Sequence, residues 1–224
     1  MSIMIKTKAP IHISMIGIFS ILVQADGDIS LDIQRRIWAL GRTIQTWNGV
    51  QEVVYGVTNL MVVCDHYIPA PEVIMQKIQI GWEHAEAKIE PARIIEIDAV
   101  YGGEDALDID AVCMKTGLSV LEIAKIHSAP VYDVFAVGSA PGFGYFAGLD
   151  TRLFMGRKET PALRVEKGAL IIGGMQTAIS SQTGPNGWNV IGKCDVDLFD
   201  ISKENPCLLT PGDKIKFSVS NIIQ

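Results

Sequence analysis

The chain has 224 residues, 48% of them hydrophobic and 20% charged, the composition of a globular protein long enough for one large domain or two small ones. A net charge of −6 excludes the basic footprint of a nucleic-acid-binding protein. The four cysteines, Cys64, Cys113, Cys194 and Cys207, form no CxxC pair, which argues against a zinc ribbon or thioredoxin-type centre and for free thiols in a reducing cytoplasm.

Lys6 and Lys8 precede an apolar run over residues 11–23, and Gln24 and Ala25 follow it, in the outline of a signal peptide. Against that outline, Ile11, Ile13, Met15, Gly17, Phe19, Ile21 and Val23 form one alternating face, and His12, Ser14 and Ser20 fall on the other. A period of two predicts a strand. The run is also shorter than the roughly 20 residues a membrane span needs. Gly27 and Asp28 mark a turn, and Ser30 is placed to cap a helix whose apolar stripe is Ile33, Ile37, Leu40, Ile44 and Trp47. Asn48 and Gly49 end it. Residues 50–57 and 60–64 read as a hairpin around Thr58 and Asn59. Pro69 and Pro71 open a second helix with Val73 or Ile74, Ile78, Gly81 or Trp82, and Ala85 inward. Strand, helix, strand, strand, helix makes a small α+β sandwich, with Trp38, Trp47 and Trp82 in or near its core.

Glu90 and Pro91 mark a boundary, dividing the chain into residues 1–91 and 92–224. Residues 93–100 read as a strand and 101–105 as a turn. A short helix over 107–115 stops at Gly117, and Ser119 with Glu122 forms a capping box for another helix ending near His127. From Val131 onward, short apolar segments are divided by Gly, Pro, Asn and Asp; 169–172, 176–179, 188–191 and 214–219 are the clearest. That pattern predicts a closed β-barrel. After Pro211, Gly212 and Asp213 form a turn whose carboxylate can cap backbone amides.

The loop over residues 138–148 carries Gly138, Gly142, Gly144 and Gly148 among Phe143, Tyr145 and Phe146. It is neither a Walker A loop nor a GxSxG elbow, and residue types alone favour a structural turn. His127 is open to three readings, an acid or base near neutral pH, a charge at a helix C-terminus and a packed ring. Cys64, Asp65 and His66 offer too few ligands for a metal site, and His12 and His84 read as surface residues. Arg164, Gln176, Thr177 and Trp188, with His127, would suit a small carboxylate, Arg as a fork and Trp as a wall. No base–nucleophile pair is readable, so a stand-alone catalyst does not follow.

The order of these motifs resembles a known family. Tyr101–Gly102–Gly103–Glu104, Thr116–Gly117–Leu118–Ser119, His127–Ser128, Pro141–Gly142–Phe143–Gly144–Tyr145–Phe146, Gln176–Thr177, Pro185–Asn186–Gly187–Trp188 and Pro211–Gly212–Asp213 are similar, as an ordered set, to the family of 5-oxoprolinase B subunits. That family is also called allophanate hydrolase subunit 1, and it includes an inhibitor of a sporulation histidine kinase. The resemblance covers nearly the whole chain. It implies an α+β N-terminal domain followed by a mainly β, cyclophilin-like barrel. It implies a cytoplasmic subunit, inactive alone, that works with a homologous C subunit. Together they would use ATP, with magnesium, to activate 5-oxoproline or a related small cyclic amide, and a third subunit would open the ring. His127 would be catalytic, and Pro141, Gly142, Phe143, Tyr145, Arg164, Gln176, Thr177 and Trp188 would bind substrate in a pocket shared with the C subunit. No metal ligand, nucleic acid or membrane is implied, and a homo-oligomer is compatible. The alternative is a regulator docking on a sensor histidine kinase. The amidase Ser-Ser-Lys machinery is absent, since Ser180–Ser181 is not that motif. Ala162 stands where the family usually has arginine, Ser139 where it has phenylalanine, Asn186 where it has glycine, and Ser180 where it has tyrosine. Loss of an arginine and a tyrosine would weaken an anion pocket.

Overall fold

The computed structural model describes residues 9–88 and 91–224. Lys6, Lys8 and Glu90, on which the leader outline and the expected boundary partly rest, lie outside the described residues. The chain divides into two compact units, Met1–Pro91 and Ala92–Gln224. Among the described residues no helix is long and apolar enough to cross a membrane.

In the first unit the apolar run makes two strands, not the single one its periodicity predicts. β1 (Ile11–Ile16) turns back at Gly17, φ 66°, into antiparallel β2 (Ser20–Ala25). Ile13 pairs with Val23 and Met15 with Ile21, so odd-numbered residues stay on one face across the turn. The period of two survives the reversal and conceals it. α1 (Leu31–Gln45) starts where Ser30 accepts a hydrogen bond from the Ile33 amide. β3 (Val50–Tyr55) and β4 (Asn59–Cys64) form the expected hairpin, with Thr58 at φ 58°, and α2 (Pro71–His84) begins on proline. The sheet order is β1-β2-β4-β3, with α1 on β3 and β4 and α2 against α1 and β1. Arg36, on α1, is only 8% exposed. Its guanidinium donates to the carbonyls of Trp82 and Ala85 and lies 3.7 Å from the Trp82 ring centre. It thus satisfies the last turn of α2 while stacking on its indole.

The second unit begins with β5 (Ile94–Gly102). α3 (Ile109–Thr116) ends at Gly117 in the left-handed conformation, and α4 (Val120–Ser128) carries the Ser119–Glu122 capping box. Next come β6 (Val131–Val137), β7 (Gly144–Ala147), β8 (Ala162–Val165), β9 (Ala169–Gly173), β10 (Gln176–Ile179), β11 (Gly184–Asn186), β12 (Asn189–Cys194) and β13 (Lys214–Ile223). Seven of these close a barrel in the order β10-β7-β6-β13-β5-β12-β9, shut by the pairing of β9 with β10. β13 runs parallel to β5, and the other barrel pairs are antiparallel. β8 and β11 form a separate two-stranded ribbon. The α+β unit and the barrel are those expected from the sequence.

Tyr101, Tyr132, Phe146, Leu170, Ile179 and Phe217 fill the barrel interior. A second apolar layer, with Phe143, Ile171, Ala178, Trp188 and Val190, lies outside the wall. Alternation along each strand separates the two layers: Ile179 and Thr177 point in, Ala178 and Gln176 point out. The Asp213 turn does more than cap. Its carboxylate accepts from the Thr210 amide and hydroxyl and from Arg93, fixing the start of β13 beside β5. Burial pushes this carboxyl up, but the Arg93 and Thr210 hydrogen bonds outweigh it and hold it below the ordinary carboxylate range. Asp213→Ala is expected to lower stability by about 2 kcal/mol in urea denaturation at pH 7. The loss should shrink as pH falls through the depressed carboxyl pKa, where the wild type loses the same contribution.

Candidate functional site

The outer apolar layer forms one wall of a cavity of about 340 Å³, lined among others by Ser139, Phe143, Tyr145, Arg157, Ser181 and Trp188. That is the lower end of the size range for small-molecule pockets. Its floor is three aromatic rings. Phe143 and Tyr145 lie edge-to-face at 5.0 Å between centroids, and each is 6.2 Å from Trp188. The indole is placed by two local devices. Asn186 Oδ1 accepts from the Trp188 amide, and the ring lies where a side chain on Gly173 would sit, within 2.6 Å of its would-be Cβ. Asn186 therefore has a use in this turn.

The segment before β8 is tied to the same region. Lys158 N donates to Gly187 O at 2.7 Å, and Asn189 Nδ2 donates to Gly156 O at 3.0 Å. The Lys158 ammonium pairs with Asp108, which also accepts from the Val190 amide. These contacts brace the backbone on both sides of Arg157, whose exposed side chain reaches the cavity. Ser139 sits at φ 64°, a conformation uncommon outside glycine, on the cavity rim.

Of the residues singled out from sequence, Phe143, Tyr145 and Trp188 come together on the cavity floor. Pro141 and Gly142 shape the adjoining turn without lining the cavity. Arg164 is exposed on β8 and paired with Glu166, and it does not line the cavity. Gln176 points outward beside Gly173, its cross-strand partner under the indole, and its Nε2 is buried without a hydrogen-bond partner. Thr177 points into the barrel. Arg157, Ser181 and Gln182 line the cavity without a sequence motif to mark them; Arg157 carries no local signal, since its position depends on the long-range brace.

His127 is also in the barrel core, with no solvent exposure and outside the cavity lining. Its ring packs 4.9 Å from Phe217 and 5.4 Å from Tyr132. Thr177 Oγ1 donates its single proton to Ile171 O, so it must accept from His127 Nε2 at 2.8 Å. Nδ1 then accepts from the Tyr101 hydroxyl at 2.8 Å. The network assigns one neutral tautomer with both nitrogens occupied. Burial pushes the imidazole pKa down from 6.5 to about 3. In this arrangement His127 orders the core, and the geometry gives it no contact with a ligand in the cavity.

ATP is the cofactor expected from the resemblance. Among the described residues, the cavity has no glycine loop opening a helix to cradle phosphates, and no cluster of three or more His, Cys, Asp or Glu is gathered for a metal ion. These residues suit a small polar ligand and do not by themselves fit a magnesium nucleotide.

Fold and cavity together define a two-unit α+β protein whose β-barrel carries a small-molecule-sized pocket on its outer wall. By sequence the chain belongs to the family described as carboxyltransferase domain, subdomain C and D, which matches residues 11–209. Its curated relatives include the 5-oxoprolinase B subunit of Escherichia coli O157:H7, 33% identical over 203 residues, 91% of this chain and 93% of that one. The 5-oxoprolinase B subunit of Haemophilus influenzae (strain ATCC 51907 / DSM 11121 / KW20 / Rd) is 35% identical, over 86% of this chain and 90% of that one. Among solved structures, TTHA0988 superposes with a TM-score of 0.74 at 28% identity, over 92% of this chain; this chain spans 40% of its length. The Kluyveromyces lactis urea carboxylase superposes at 0.77 and 16% identity, over 96% of this chain and 22% of that one, a likeness of fold.

Proposed function

We propose that this chain is a subunit of a cytoplasmic, ATP-dependent 5-oxoprolinase-type complex. It contributes the pocket that holds 5-oxoproline, or a related small cyclic amide with a carboxylate, while a homologous C subunit completes the site and a third subunit opens the ring. The observation that carries this reading is the aromatic-floored cavity of about 340 Å³ in a chain related, over 91% of its length, to a protein named as a 5-oxoprolinase B subunit. ATP and magnesium would be held largely by the partner, because among the described residues this chain's cavity lining offers no phosphate cradle. The chain's own contribution is to bind and orient the small ligand against Trp188, Phe143 and Tyr145, away from bulk water.

The test is reconstitution. With the C subunit and the ring-opening subunit present, 5-oxoproline-dependent ATP hydrolysis is expected well above that of any pair of subunits. Background hydrolysis with all three present would overturn the proposal.

A further inference from the structure

Arg164 is engaged by Glu166, and position 162 holds alanine, so neither supplies an anion contact to the cavity. Two other lining groups are uncommitted. Arg157 has no acidic partner among the described residues, although its backbone is braced on both sides. Ser181 is 7% exposed, and its Oγ has no hydrogen-bond partner. Among the described residues only one other buried side-chain atom shares that condition, Gln176 Nε2, on the strand that leads to Ser181, paired across to Gly173 under the indole. Buried polar atoms are rarely left unpaired, and the Ser181 hydroxyl, which lines the cavity, marks a place completed by something else. The guanidinium can only donate, and the hydroxyl can donate. Groups of that kind around an aromatic floor match a small molecule with an anionic, acceptor-rich end.

We propose that this chain by itself binds the carboxylate of a small organic acid in the cavity, with Arg157 holding the carboxylate and the Ser181 hydroxyl donating a second hydrogen bond to it. This rests on the cavity being the substrate pocket proposed above, and it assigns the anion contact to a residue that sequence motifs do not mark. Arg157 is the specificity determinant for acid over amide. A guanidinium–carboxylate pair is charge-assisted and can be bidentate, so it separates an acid from its neutral amide.

The full-length chain, without partners, would be titrated with 5-oxoproline, its neutral amide 5-oxoprolinamide, and a panel of acetate, lactate, proline and glutamate, by ligand-observed NMR. The expected result is that an acid binds at least about tenfold tighter than its amide. Arg157→Gln should weaken the acid roughly 10- to 100-fold and abolish the acid-over-amide preference. Ser181→Ala should weaken it about threefold to tenfold. Arg152→Gln removes the same charge from a residue paired with Asp150 away from the cavity lining, and should leave binding unchanged. If a panel acid binds with this Arg157 dependence and 5-oxoproline does not, the carboxylate assignment stands, 5-oxoproline is not the acid this chain holds alone, and the 5-oxoprolinase reading is decided separately by the reconstitution. If 5-oxoproline binds but its amide binds equally, or Arg157→Gln binds like wild type, the assignment is overturned and the 5-oxoprolinase reading survives. Absence of binding by every acid up to about 10 mM also overturns it.

Discussion

His127→Ala is expected to destabilise the protein by about 3–5 kcal/mol in urea denaturation at pH 7, and to do so through the barrel core. Two effects add. Removing a ring packed between Phe217, Tyr132 and Tyr101 leaves a cavity like that of a buried aromatic truncation. It also leaves the Tyr101 hydroxyl without its acceptor and Thr177 without its donor, both in the interior. Tyr101→Phe, which removes only one of those bonds, should lose about 1–2 kcal/mol. A loss below about 1 kcal/mol for His127→Ala would contradict the buried network.

The same site predicts a pH dependence whose sign is fixed. The folded imidazole pKa is depressed from 6.5 to about 3. Between those values the unfolded chain carries a proton that the folded chain does not. Stability is therefore complete above 6.5 and falls as pH is lowered toward 3, by at most about 1.4 kcal/mol per pH unit from this group. Unfolding free energies from urea denaturation at pH 7 and pH 5 should differ for the wild type by about 2 kcal/mol more than for His127→Ala. Equal shifts in the two proteins would move the acid sensitivity to other groups.

Much of the fold is readable in the sequence because its signals are local. Ser30, the Ser119–Glu122 box, Gly117 and the turn residue Gly212 act within a few positions of themselves, and each marks the element end it predicts, whereas α1 ends at Gln45, short of Trp47 and of the stop expected at Asn48 and Gly49. The hairpin of β1 and β2 is hidden because its three-residue turn preserves the parity of the apolar face. Arg36 lies outside the apolar stripe of Ile33, Ile37, Leu40, Ile44 and Trp47, and nothing local marks its burial, because its use depends on carbonyls some fifty residues away, at Trp82 and Ala85. The site divides along the same line. Phe143, Tyr145 and Trp188 are legible as aromatics beside turns. The burial of His127 is a property of four elements meeting, and the position of Arg157 depends on contacts from Asp108, Gly187 and Asn189, so neither can be read from neighbours in sequence.

Gly142→Ala should be the sharpest probe of the aromatic floor, because its damage is set by one methyl group. Gly142 has φ 74°, where a β-carbon carries an intrinsic penalty of about 1–2 kcal/mol. That β-carbon would lie 2.5 Å from Leu198 O and 2.8 Å from Leu198 C. The obstacle is backbone, and it is pinned: Leu198 O accepts from the Leu208 amide at 3.0 Å, and Phe199 bridges to Cys207. The turn must therefore move. Gly138 N donates to Phe143 O and Phe143 N to Ala140 O, so its displacement carries the Phe143 ring away from Tyr145 and Trp188. The expected result is a loss of about 2–4 kcal/mol and at least tenfold weaker ligand binding. Ser139→Gly is the matched contrast. Ser139 has a left-handed φ of 64°, and glycine removes that strain, so stability should hold or rise by up to about 1 kcal/mol. If Gly142→Ala melted with the wild type and bound ligand equally well, the floor would not depend on this turn. Opposite signs at two left-handed positions three residues apart would separate the steric contact at Leu198 from the effect of backbone conformation alone.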